Sequence, residues 1–133
     1  DTVMPGTVLN DFGDSVRIGA TTGAEDEKDL SKVNLNLDMF DCLARGYIEA
    51  ARNFLTGTES EHLAFSAKLL TLECGMRFLT DHLDGDNYFK VHRENHNLDR
   101  CRTQFKMVAD IEDQMDEMKE IVDKYIQSPP ASQ

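Results

Sequence analysis

LDMFDCLARGYIEAARNFL, residues 37–55, sets Phe40, Leu43, Ala44, Tyr47, Ile48, Ala51 and Leu55 at intervals of three and four, the period of one face of an α-helix. A strand would alternate apolar and polar residues, and no such alternation of useful length occurs in the chain. The spacing predicts a first helix over 36–55, ended by Thr56-Gly57. Immediately after it, Thr58-Glu59-Ser60-Glu61 has the form of a capping box, in which a hydroxyl accepts from a backbone amide while a glutamate reaches back. A second helix over 58–84 follows, with Leu63, Ala67, Leu70, Cys74 and Phe78 as its stripe and Asp84-Gly85-Asp86-Asn87 as its stop. The third predicted helix, 97–126, starts from Asn97 as N-cap. It carries Leu98, Cys101, Phe105, Val108, Ile111, Met115, Met118, Val122 and Tyr125 on one side, and Ser128-Pro129-Pro130 closes it.

Amphipathic helices joined by short links bury their stripes against one another, so 36–127 reads as a mostly α, three-helix antiparallel subdomain. Residues 1–35 read as an irregular segment, because Gly6, Gly13, Gly19 and Gly23 and the run Thr21-Thr22-Gly23-Ala24 have loop composition. Residues 128–133 read as a disordered tail.

Composition limits the function. The chain has 133 residues, 40% hydrophobic and 29% charged, which suffices for one modest core. A net charge of −11 repels nucleic-acid phosphates and anionic lipid surfaces alike, so neither is an expected partner. Three dispersed cysteines, Cys42, Cys74 and Cys101, argue against a disulfide framework and for a cytoplasmic setting. No apolar run approaches the length of a membrane span.

Two regions carry candidate chemistry. The first is Asp1-Thr2-Val3-Met4-Pro5-Gly6 with Asn10-Asp11-Phe12-Gly13-Asp14-Ser15-Val16-Arg17 behind it, a succession of acids around a Pro-Gly turn. Asp11-Phe12-Gly13 matches the magnesium triplet of protein kinases in letters only, since no His-Arg-Asp loop stands in the chain. The second is Glu73-Cys74-Gly75-Met76-Arg77-Phe78-Leu79-Thr80-Asp81 together with Asp84-Gly85-Asp86-Asn87-Tyr88-Phe89. A forked guanidinium and an aromatic ring suit the hydroxyls and the apolar face of a sugar. The other reading of Arg77 is an ion pair with Glu73 or Asp81 one helical turn away, with Tyr88 a rim residue. His92 and His96 stand four apart, but the sequence between them does not form the zinc-protease motif.

Taken together, these motifs resemble the C-terminal part of the aminoglycoside and choline kinase-like phosphotransferases, most closely the N-acetylhexosamine 1-kinases. The resemblance runs from Asp1 to about Tyr125. It implies that the helices belong to a protein-kinase-like larger lobe. It further implies that Asp1 is the second acid of an Asp-x-Asp pair at a magnesium ion, that Gly6 to Asp11 form the following turn, and that Asp11 braces the catalytic loop. Arg77 and Tyr88 would contact the sugar. The implied activity is transfer of the γ-phosphoryl group of ATP, with Mg2+, to the anomeric hydroxyl of an N-acetylhexosamine. No phosphate loop or catalytic loop is present in these residues, so those parts are expected upstream in the same protein, and this piece alone is expected to be inactive. Still open are Asp1 as a solvated carboxylate, Asp11 and Asp14 as turn and cap acids, an aminoglycoside, another sugar or another small molecule as the acceptor, and a non-catalytic helical interaction module.

Overall fold

The computed structural model describes residues 5–51 and 57–127, and the statements that follow concern those residues. They form five α-helices: α1 (Pro5–Gly19), α2 (Leu37–Ala51), α3 (Gly57–Leu83), α4 (His96–Asp113) and α5 (Met115–Gln127). A single 3-10 turn, Leu30–Lys32, lies between α1 and α2. No strand occurs among the described residues, where an isolated bridge joins Thr21 and Leu35. The mostly α class is as the periodicity predicts.

The helix α3 is the axis of the packing, with α1 and α4 against it, while α2 lies against α5 and touches α1. Phe12 and Val16 of α1, and Ala20 just past its end, follow one another at intervals of four and are fully buried. They meet Phe40, Ala44 and Ile48 of α2, Leu63, Ala64 and Ala67 of α3, Met107 and Ile111 of α4, and Met118 and Val122 of α5 in one apolar core. Phe12 sits edge-on to Phe40, ring centroids 5.8 Å apart, and beside Tyr47 at 5.2 Å.

The first correction concerns the N-terminal segment. Instead of an irregular stretch over 1–35, residues 5–19 are helical, so Gly6 to Asp11 lie in α1 rather than in a turn. Pro5 stands at the start of the helix, where its missing N–H costs nothing. Gly13 is there for closeness: a Cβ on it would fall 2.6 Å from the carbonyl oxygen of Ser66, so the glycine lets α1 press onto α3. Residues 20–36 do form a loop, and it is stitched to its neighbours. Thr22 N–H donates to the Asn34 carbonyl at 2.9 Å, Lys106 Nζ to the Val33 carbonyl at 2.7 Å, and Leu35 N–H to the Asp110 carboxylate.

The second correction divides the third predicted helix. The chain leaves helical geometry at Gln114 (φ −109, ψ 14), so 97–126 becomes α4 and α5. Gln114 spends its side chain on Asp110 Oδ2 at 3.2 Å, and the bend lets Met118 and Val122 reach α2. With α1 added and the third helix split, the expected three-helix subdomain is five helices among the described residues. The third concerns α4's start, where Asn95 (φ 62, ψ 19), not Asn97, is the N-cap, and it makes no side-chain cap bond. The side chains of the capping box at 58–61 and the whole of the 128–133 tail lie outside the described residues. None of the helices described is long and apolar enough to cross a membrane.

Candidate functional site

The site is an open groove of about 930 Å³ along the outer face of α3. Leu69, Leu72 and Met76 make its apolar floor, Arg77 and Tyr88 border it, and Asn10 of α1 closes one side. Glu73, Thr80 and Asp84 supply acceptors around the same space. Arg77 and Tyr88, singled out from the sequence on separate elements, thus face one cavity. Their exposure is high, 67% for the Arg77 side chain and 83% for Tyr88.

Arg77 also makes the alternative contact: its Nη2 lies 3.3 Å from Glu73 Oε2 across one helical turn. Such an exposed pair contributes little, on the order of 0.3–0.5 kcal/mol, and an incoming hydroxyl can displace it. Asp81 is not its partner. The Asp81 carboxylate, in a residue only 5% exposed, turns instead to the loop after α3. Oδ1 accepts the N–H of Tyr88 at 2.7 Å, and Oδ2 accepts the N–H of Phe89 at 3.0 Å and the Asn97 amide at 2.7 Å. Burial pushes this carboxyl up, but the N–H groups of Phe89, Tyr88 and Asn87 and the Asn97 amide outweigh it and hold it below the ordinary carboxylate value.

The loop itself turns through two left-handed residues, Gly85 (φ 94) and Asp86 (φ 61). Asn97 Nδ2 reaches Asp86 Oδ1 at 3.0 Å as well, and Arg100 Nη1 donates to Asn97 Oδ1 at 2.9 Å and to the Lys90 carbonyl at 3.0 Å. Phe89, next to Tyr88 in the chain, sets its ring tilted against Phe78, centroids 4.6 Å apart, and the Arg100 guanidinium lies 5.6 Å from the centre of the Phe78 ring. Sequence reading placed Asp81 and Asn97 in other roles, since a carboxylate and an amide on different helices leave no periodic trace of their pairing.

A smaller cleft of about 470 Å³ adjoins the groove at Glu73 and Arg77. Here Arg17 pairs with Asp14 at 3.0 Å and with Glu25 at 3.2 Å, so Asp14 is an ion-pair partner within α1 and not a helix cap. Burial raises the Cys74 thiol in the same cleft, which makes it a poor nucleophile. Gly75 faces the other way; a Cβ there would come 2.7 Å from the Phe105 ring, so this glycine of the motif serves the α3–α4 contact.

The acids of the N-terminal region separate. Asp1 lies outside the described residues. Asp11 is exposed on α1, where its carbonyl accepts from the Ser15 hydroxyl at 2.9 Å, and its carboxylate joins no hydrogen bond or ion pair among the described residues. Among those residues no group of three His, Cys, Asp or Glu side chains is arranged to hold a metal. His96 Nδ1 accepts the His92 N–H at 3.1 Å and Nε2 faces Asp26 Oδ2 at 2.8 Å, so the ring is spent on the loop around Asp26.

No protein-family model matches the chain.

Proposed function

We propose that this chain is the acceptor-binding part of a small-molecule kinase, one that phosphorylates the anomeric hydroxyl of an N-acetylhexosamine with ATP and Mg2+. The observation that carries the reading is the convergence of Arg77 and Tyr88 on one groove. A hexosamine is amphipathic. Its ring face packs on an aromatic side chain, its hydroxyls take the guanidinium and nearby carboxylates, and its acetyl methyl prefers an apolar floor such as Leu69, Leu72 and Met76. Phosphoryl transfer demands chiefly that the acceptor be held in line with the donor, so a binding surface of this kind is a catalytic contribution in itself. The nucleotide and the proton acceptor belong in this proposal to the upstream part of the protein, and Asp1 to one edge of the Mg2+ site.

The acids Glu73 and Asp84 at the groove favour a second acceptor class, the cationic aminoglycosides. Support for a non-catalytic helical module is withdrawn in one respect: the stripe of the third predicted helix, Ile111, Met118 and Val122, is consumed by the chain's own core. A phosphoryl-transfer screen of the full-length protein with magnesium and ATP tests the proposal. Turnover of N-acetylglucosamine or N-acetylgalactosamine supports it, turnover of aminoglycosides alone selects the second class, and transfer to neither removes both.

A further inference from the structure

Tyr88 presents a physical problem that the sugar reading leaves unanswered. The Tyr88 side chain is 83% exposed and packs edge-on against the Phe89 ring, centroids 4.9 Å apart, and the backbone on which both stand is held by a set of hydrogen bonds with Asp81, Asn97 and Arg100. Asp81 grips the N–H of Tyr88 and of Phe89, and Asn97, fully buried, ties Asp81 to Asp86 across the loop. Arg100 fixes the orientation of the Asn97 amide by donating to its oxygen, which leaves the nitrogen to face the two carboxylates.

We infer that Asp81 and Asn97 are positioning residues, a clamp that holds Tyr88 in its ligand-binding pose before the ligand arrives. This inference rests on the sugar reading for the identity of the ligand, but not for the existence of the clamp. The physical gain is preorganisation: an ordered loop gives up its freedom during folding, so that binding no longer bears that cost. Asn97 has no surface in the groove and cannot touch an acceptor. Any effect of Asn97 on sugar binding must therefore pass through Asp81 and the loop. Asp81 itself lines the groove, which makes Asn97 the cleaner probe.

The experiment combines hydrogen exchange at the Tyr88 and Phe89 amides with steady-state kinetics of the full-length protein toward N-acetylglucosamine and N-acetylgalactosamine. Asn97→Ala is expected to speed exchange at both amides and to raise the sugar KM, each by about tenfold, with kcat and the KM for ATP unchanged. Asp86→Gly keeps the left-handed turn accessible and removes one acceptor of Asn97, so it gives a smaller shift in the same direction even if Asn97→Ala folds poorly. Unchanged exchange in both variants overturns the clamp. Faster exchange with an unchanged sugar KM overturns its role in binding. If Tyr88→Ala also leaves sugar kinetics intact, the sugar reading falls, and with it the ligand assigned to the clamp, whereas the exchange data still decide the clamp itself.

Discussion

The backbone N–H of Tyr88 donates to the carboxylate of Asp81 at 2.7 Å, across the turn that ends α3. A charged acceptor in a nearly buried position is thereby committed to backbone donors, which favours its ionised form. The folded carboxyl titrates below its ordinary value of 3.8. A group whose folded pKa is depressed stabilises the fold above its unfolded pKa and loses that contribution as pH falls through the folded one. The melting temperature of the chain should therefore hold between about pH 7 and 5 and decline below about pH 4. Asp26, held low chiefly by the hydrogen bond from His96, adds to the same acid limb. In Asp81→Asn the decline should be shallower, and an acid limb identical to that of the unaltered chain would contradict the assignment.

Glycine substitutions should separate tight helix crossings from open helix surface. Gly46→Ala in α2 meets nothing within 4 Å and should stabilise by up to about 1 kcal/mol through helix propensity. At Gly13 the same change drives a Cβ to 2.6 Å from a backbone oxygen, and at Gly75 to 2.7 Å from Phe105. Overpacking of about 1–3 kcal/mol outweighs the propensity gain there, so both variants should lose stability in urea titrations.

The Asp11-Phe12-Gly13 triplet should behave as packing, not as a metal motif. Phe12→Ala empties a fully buried position and should cost about 3–5 kcal/mol. Asp11→Ala, at an exposed position, should stay within about 0.5 kcal/mol. Chemical denaturation of the two variants side by side gives the comparison.

These contrasts also mark how far the sequence was readable. Phe40, Ala44 and Ile48, or Leu63 and Ala67, are buried where their three-and-four spacing predicts, because helical periodicity and burial are two expressions of one geometry. The helix α1 carried the same signal in Phe12 and Val16, continued by Ala20 just past its end, but its glycines read as loop, and the reason for Gly13 lies on α3, distant in the chain. The stripe of α4 and α5 runs straight through Gln114, so a local break that preserves the apolar face leaves no mark on it. At the site, motif resemblance pointed to Arg77 and Tyr88, whereas their sharing of a groove is a property of the loop geometry. The Asp81–Asn97 bond was invisible for the same reason as Gly13.

The most direct test of the acceptor groove is sugar saturation kinetics of the full-length protein carrying Arg77→Ala or Tyr88→Ala, with melting temperature measured alongside. The account predicts a fall in kcat/KM for the N-acetylhexosamine equivalent to about 1.5–3 kcal/mol for the arginine, only partial recovery in Arg77→Lys because an ammonium lacks the planar fork, and a steady KM for ATP. Because Arg77 makes only an exposed pair with Glu73, stability should barely change. Sugar kinetics indistinguishable from the unaltered protein in both alanine variants would contradict the account and leave Arg77 and Tyr88 as surface residues of a helical fold.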